Sequence, residues 1–205
     1  GAAAGAAAGA AVGGEPRFQA YAARWLMMIL FVLCVGCNQI VWITFAPIAA
    51  TTQRLFDVPA AYVNLLSLVF MITYIPCTFP ASRVIDRWGC RRGLLVGSGL
   101  TALGAVLRLG AAAPLRAPRA AAAACLVCGQ VLAAIGQPFL MNMPPKLANV
   151  WFPAHQRVVA DTVCSMAAPV GCAVGFLLPP ALVSAGTPGE MACLLAVEAA
   201  ACLVC

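Results

Sequence analysis

The stretch IDRWGCRRG, residues 85–93, places four charged side chains within nine residues. A run of mostly apolar residues lies on either side of it, 62–81 before and 94–113 after. A helix needs about 20 apolar residues to cross the hydrocarbon core of a bilayer. The pattern therefore predicts two membrane-spanning helices joined by a short polar connection.

The composition of the whole chain indicates a membrane protein. Of its 205 residues, 63% are hydrophobic and 9% are charged, whereas soluble domains are roughly 45–50% apolar. Apolar runs predict spans at 25–50, 62–81, 94–113, 120–143, 158–183 and from about residue 191. We expect an all-α, multi-pass protein in which residues 21–205 form one bundle of about six helices. Because the sequence stops inside the sixth run, we expect a fragment whose C-terminal bundle is missing.

Other features exclude several classes of protein. Residues 1–20 are mostly Ala and Gly and predict a disordered tail. The CxxC pairs Cys34/Cys37 and Cys125/Cys128 have no His or acidic neighbour, so we interpret them as buried thiols and not as metal or redox sites. We find no catalytic set and no metal-ligand spacing, and we expect neither an enzyme nor a cofactor. The basic residues flank the spans and form no stripe for nucleic acid.

The basic residues also predict the orientation. With a cytoplasmic N-terminus, the cytoplasmic side carries eight of the twelve: Arg17, Arg24, Arg83, Arg87, Arg91, Arg92, Lys146 and Arg157. The outer side then carries Arg54, Arg108, Arg116 and Arg119. The positive-inside rule favours this orientation.

The charged connection resembles the loop signature of the major facilitator superfamily, G-x-x-x-D-R-x-G-R-R. The residues that carry the resemblance are Asp86, Arg87, Gly89, Arg91 and Arg92. Two positions depart from the pattern, with Ser82 in place of Gly and Cys90 in place of Arg. The resemblance implies that the aspartate pairs with groups at the junction of two helix bundles and holds one gate conformation. A solvated basic turn that only sets topology is the alternative.

Further stretches are similar to solute carrier family 49, the feline leukaemia virus subgroup C receptor-related transporters. They are NQIVWITFAPIA (38–49), NLLSLVFMITYIPCTFPAS (64–82), GSGLTALGAVLR (97–108), GQPFLMNMPPKLANVWFPAHQR (136–157) and GFLLPPALV (175–183). The resemblance implies a carrier of choline or ethanolamine, with haem also proposed as cargo, and we expect the plasma membrane as its location. It implies a binding site at Trp42, Tyr74 and Gln137.

Physical chemistry is consistent with that site. A quaternary ammonium cannot donate a hydrogen bond, but it binds to the faces of aromatic rings. A glutamine can then orient a hydroxyl group. Each of these side chains can also serve packing alone. Weaker candidates for the site are Asn38, Gln39, Asn64 and Asn142.

Two other functions stay open. The first is transport of haem or another organic ion, for which Met141, Met143 and His155 would be the available ligands. The second is a membrane receptor or regulatory half-carrier without transport. Of the acidic residues in or near the spans, Asp161 has Arg157 four residues earlier as a possible partner. Glu198 has no evident partner and is a candidate for proton coupling.

Overall fold

The computed structural model describes residues 23–112 and 119–205, and every regular element within these ranges is a helix. In chain order they are α1 (Ala23–Ile43), α2 (Ala49–Phe56), α3 (Ala60–Ala112), α4 (Arg119–Met141), α5 (Pro144–Trp151), α6 (Ala154–Leu182) and α7 (Pro188–Val204). Four of them, α1, α3, α4 and α6, are long and apolar enough to cross a membrane. The predicted all-α, multi-pass architecture is confirmed. The predicted tail 1–20 lies outside the described residues.

Helix α3 contains both spans that flank the charged stretch. It runs for 53 residues and leaves helical geometry at Gly89, where φ is 83° and ψ is 169°. Only glycine occupies this region of backbone space without strain. The predicted connection 82–92 is therefore mostly helical, and one residue reverses the chain between a first limb (60–88) and a second limb (90–112).

The first predicted span, 25–50, is too long. Helix α1 ends at Ile43, because Pro47 has no N–H to donate to the carbonyl of Ile43. The backbone N–H of Ala46 donates to that carbonyl instead, at 3.0 Å. Short helices occupy two of the predicted connections, α2 after this break and α5 between α4 and α6.

Glycines allow the helices to pack closely. A Cβ atom on Gly104 in α3 would clash with the backbone of Gly129 in α4, and the converse also holds. A Cβ on Gly171 in α6 would lie 2.8 Å from the backbone of Gly36 in α1. The small-residue spacing of Gly171 and Gly175 therefore serves helix packing, as in other membrane bundles.

Contacts between the helix ends show that the spans alternate in direction. At one end, here called the kink end, Lys146 of α5 contacts Asp86 just before Gly89. Trp25 at the start of α1 contacts Phe152 between α5 and α6, with ring centroids 5.5 Å apart. At the opposite end Gly186 lies against Thr51 and Arg54 of α2. With the two limbs of α3 counted separately, the described ranges contain five candidate crossings, which are α1, both limbs of α3, α4 and α6; α7 has 17 residues and packs against α3.

Candidate functional site

A cavity of about 430 Å³ lies between α1, the first limb of α3, α4 and α6. Its lining residues are Gln39, Trp42, Phe70, Met71, Tyr74, Ile75, Gln137, Met141, Ala168, Pro169 and Cys172. The three side chains singled out from the sequence, Trp42, Tyr74 and Gln137, thus come from three helices to one cavity. None of the described residues that line it is charged.

The side chain of Trp42 packs against the first limb of α3. Its indole Nε1 donates a hydrogen bond to the carbonyl of Ser67 at 3.1 Å. Its ring lies 6.2 Å from the ring of Phe70, with the planes tilted by 33°. The two rings form an aromatic wall. Rotation of the indole would break its hydrogen bond to the carbonyl of Ser67.

Tyr74 and Gln137 add polar groups to this wall. The hydroxyl of Tyr74 donates to Asn142 Oδ1 at 3.1 Å, and Asn142 Nδ2 donates to Ser82 Oγ at 3.4 Å. Gln137 is 7% exposed, in the last turns of α4. The weaker candidate Gln39 also lines the cavity and donates to the sulfur of Met141 at 3.4 Å. The arrangement offers ring faces and amide dipoles to a small ligand.

A second, polar cavity of about 470 Å³ lies at the kink end. Its lining residues are Ser82, Ile85, Asp86, Asn142, Pro145, Lys146 and Asn149. Lys146 Nζ donates to Asp86 Oδ1 at 2.9 Å and to the carbonyl of Ile85 at 2.7 Å. The partner of this aspartate in the described structure is thus a lysine of α5. The signature arginines Arg87, Arg91 and Arg92 are exposed.

A buried ion pair between Arg108 and Glu198 was not predicted from the sequence. Arg108 Nη2 lies 3.1 Å from Glu198 Oε2, and the two side chains are 0% and 2% exposed. Arg108 was expected among the outer basic residues that set topology, and this prediction is wrong because the side chain lies in the core between helices. The partner of Glu198 is thereby found. A charged side chain in an apolar run is costly unless it has a partner. The presence of Arg108 in one apolar run and of Glu198 in another was therefore the sequence signal for this ion pair.

Several secondary candidates lie away from the large cavity. Met143 is fully buried in the core and His155 is exposed at the start of α6, so Met141 alone of the three suggested haem ligands lines the cavity. Arg157 Nε donates to the carbonyl of Phe152 at 3.1 Å, and no ion pair joins Arg157 to Asp161 within the described ranges, so the predicted pairing of these two residues is not found.

The remaining sequence candidates have structural positions. Asn38 is buried and donates to Thr101 Oγ1 at 2.9 Å and to the carbonyl of Ala133 at 3.1 Å, so it joins α1 to α3 and α4. Asn64 is exposed. Cys125 and Cys128 lie within α4 but are exposed on its surface, so their interpretation as buried thiols is wrong, whereas Cys34 is buried as expected.

Comparison with known proteins supports one family. The model of the Major Facilitator Superfamily matches residues 31–205. The chain is 38% identical over 191 residues to Solute carrier family 49 member A3 of Danio rerio, covering 88% of this chain and 40% of that protein. It is 34% identical over 160 residues to Choline/ethanolamine transporter FLVCR2 of Homo sapiens, covering 78% of this chain and 29% of that protein.

These relatives agree with the resemblance seen in the sequence, and the chain spans well under half of their length. The family match covers both limbs of α3, including the charged stretch around Gly89. Together with the all-helical, multi-pass fold, the match shows that this chain belongs to the major facilitator superfamily.

Proposed function

We propose that the chain forms one wall of the substrate cavity of a membrane carrier for a small organic cation of the choline or ethanolamine class. One observation carries the proposal: Trp42, Tyr74 and Gln137, far apart in the sequence, line a single cavity. The similar proteins named choline/ethanolamine transporters support the same class of substrate.

The lining favours a weakly hydrated cation. The ring faces of Trp42, Phe70 and Tyr74 attract a trimethylammonium group, each contributing about 0.5–2 kcal/mol. The described lining offers no carboxylate, the ligand that divalent metal ions usually use in proteins, so it suits an organic cation better than a metal ion. The amide of Gln137 can bond to the hydroxyl of choline, which would disfavour analogues without that group.

We further propose that the signature around Asp86 acts as a gate at the cytoplasmic end, which is the kink end if the N-terminus is cytoplasmic. The hydrogen bonds from Tyr74 through Asn142 to Ser82 connect the large cavity to the polar cavity that holds Asp86 and Lys146. A ligand that moves the Tyr74 hydroxyl would disturb this chain of contacts. Alternating access then requires a second bundle that rocks against this one.

The test is uptake of radiolabelled choline into cells expressing the full-length protein. We expect Trp42→Leu to raise the half-saturating concentration about 2- to 30-fold, which corresponds to the loss of about 0.5–2 kcal/mol of ring contact. Trp25→Leu is the matched control, because Trp25 lies on the same helix but outside the cavity and is 47% exposed. Equal uptake by the Trp42 variant and the control would disprove the site.

We propose haem as a second candidate cargo for the same cavity. Met141 and Cys172 supply thioether and thiol groups to the lining, and these are haem-ligand types. Haem that competes with choline in a binding assay, and loses affinity in Met141→Leu, would favour this cargo. Choline binding without any uptake would instead favour a receptor or regulatory half-carrier.

A further inference from the structure

The last carbonyls of α1, directly behind Trp42, are held by side chains from other helices. Arg108 Nη1 donates to the carbonyl of Val41 at 3.0 Å. Gln130 Nε2 donates to the carbonyls of Val41 and Trp42 at 3.3 and 3.4 Å. In a continuing helix the N–H of Ala46 would serve the carbonyl of Trp42, but it bonds to Ile43 instead. Side chains of α3 and α4 therefore replace the donors lost at this helix end.

The arginine in this arrangement is itself fixed on several sides. Glu198 Oε2 accepts from Arg108 Nη2 at 3.1 Å, and Glu198 Oε1 accepts from Thr44 Oγ1 at 2.6 Å. The guanidinium carbon lies 4.7 Å from the centre of the Phe45 ring. Thr44 and Phe45 are the residues that follow α1, so both contacts also act on the break after that helix.

We propose that Arg108, Gln130 and Glu198, here called the α1 clamp, are positioning residues for the binding of the substrate by Trp42. They lie on the second limb of α3, on α4 and on α7. Arg108 and Gln130 donate to the backbone that carries the Trp42 ring, and Glu198 holds Arg108 in place. The Ser67 carbonyl holds the indole and the clamp holds the backbone, so the ring has one orientation toward the cavity. This inference rests on the proposed function for the identity of the ligand.

The clamp also explains why a buried arginine is compatible with a cation site. A cation at the C-terminal end of a helix interacts favourably with the partial negative charge of the last carbonyls. An unpaired guanidinium so near the cavity would repel a cationic ligand, since electrostatic interactions are strong where water is excluded. The carboxylate of Glu198 cancels that charge while the hydrogen bonds to α1 remain.

The experiment combines a readout that needs no ligand with one that does. In the purified full-length protein, hydrogen–deuterium exchange is followed across residues 40–48 and across the other spans. Gln130→Met removes the donor to the two α1 carbonyls at nearly constant volume. Arg108→Lys keeps the positive charge beside Glu198, but lysine lacks the second nitrogen that donates to the carbonyl of Val41. Tyr62→Phe is the control, because it keeps the ring and removes only the hydroxyl that donates to the Ala123 carbonyl of α4.

We expect both clamp variants to exchange faster in 40–48 while the other spans stay unchanged. We also expect a half-saturating choline concentration raised on the order of tenfold, the usual effect of losing a buried hydrogen bond to a charged or amide donor, with the maximal uptake rate retained. The control should match the wild type in both readouts. A uniform rise in exchange, or an unchanged segment 40–48 in both variants, would overturn the clamp.

The two proposals fail in different ways. If the wild-type protein neither binds nor carries choline but exchange rises locally in the clamp variants, the proposed substrate is wrong and the clamp stands as a holder of α1. If choline uptake is normal in the wild type and its half-saturating concentration is unchanged in both clamp variants, the substrate stands and the positioning role is wrong.

Discussion

Replacing Glu198 by glutamine is the most informative single change to the stability of this fold. The Glu198 side chain is 2% exposed, and its carboxylate lies 3.1 Å from the fully buried guanidinium of Arg108 and accepts from the Thr44 hydroxyl at 2.6 Å. Glutamine keeps the volume and can still accept one hydrogen bond. It removes the negative charge, however, and leaves a buried guanidinium without a counter-charge.

The expected cost follows from that environment. Breaking a buried ion pair by removing one partner costs about 3–5 kcal/mol, mostly because the remaining charge has no compensation. A native protein is stable by only about 5–15 kcal/mol, so this loss is a large fraction of the total. Neutralising both partners removes the uncompensated charge, and we therefore expect Arg108→Gln/Glu198→Gln to be more stable than Glu198→Gln alone.

The assay is thermal denaturation of the purified full-length protein in detergent, with wild type, both single variants and the double variant measured together. The expected order of apparent melting temperature is wild type, then the double variant, then Glu198→Gln. A double variant whose loss equals the sum of the two single losses would show that the two residues act independently, which is incompatible with a buried pair.

Three further changes test other parts of the structure. Gly89→Ala should lower the free energy of unfolding by about 1–3 kcal/mol in thermal denaturation, because φ at this residue is 83°. Its control is Gly99→Ala, which should be neutral or stabilising because the space around the Cβ position is open. Equal losses of stability in the two variants would contradict the strain expected for alanine at position 89. Asp86→Asn should change the free energy of unfolding by no more than about 1 kcal/mol, because the ion pair with Lys146 is solvent-accessible. The same variant should slow choline uptake if Asp86 acts as a gate, and unchanged uptake would contradict the gate. Cys90 is partly buried against the apolar core, so its alkylation at pH 8, followed by mass spectrometry, should be slower in the folded protein than in the denatured protein; equal rates would contradict the burial.

Sequence alone predicted the helices well and their ends less well. Length and hydropathy decide whether a run can cross the bilayer, so each predicted span contains a helix of the structure. The ends depend on local events that these averages do not record. One glycine replaces the expected polar connection 82–92, and the missing N–H of Pro47 ends α1 seven residues before the predicted boundary at Ala50.

The candidate site shows the same division. Trp42, Tyr74 and Gln137 could be named because short motifs around them carry the family resemblance, and the structure brings them to one cavity. The α1 clamp could not be named, because it depends on contacts between residues 67 to 154 positions apart whose direction only the packed helices define. The charge of Glu198 in an apolar run indicated that a partner must exist but not which residue it is.

The position of bound choline in the full-length protein, determined by electron cryomicroscopy with and without the ligand, tests the proposed function most directly. We expect density for the trimethylammonium group within about 6 Å of the centre of the Trp42 ring, with the hydroxyl end directed toward Gln137. Density confined to the polar cavity around Asp86 and Lys146, or no density between α1, α3, α4 and α6 at saturating choline, would contradict it.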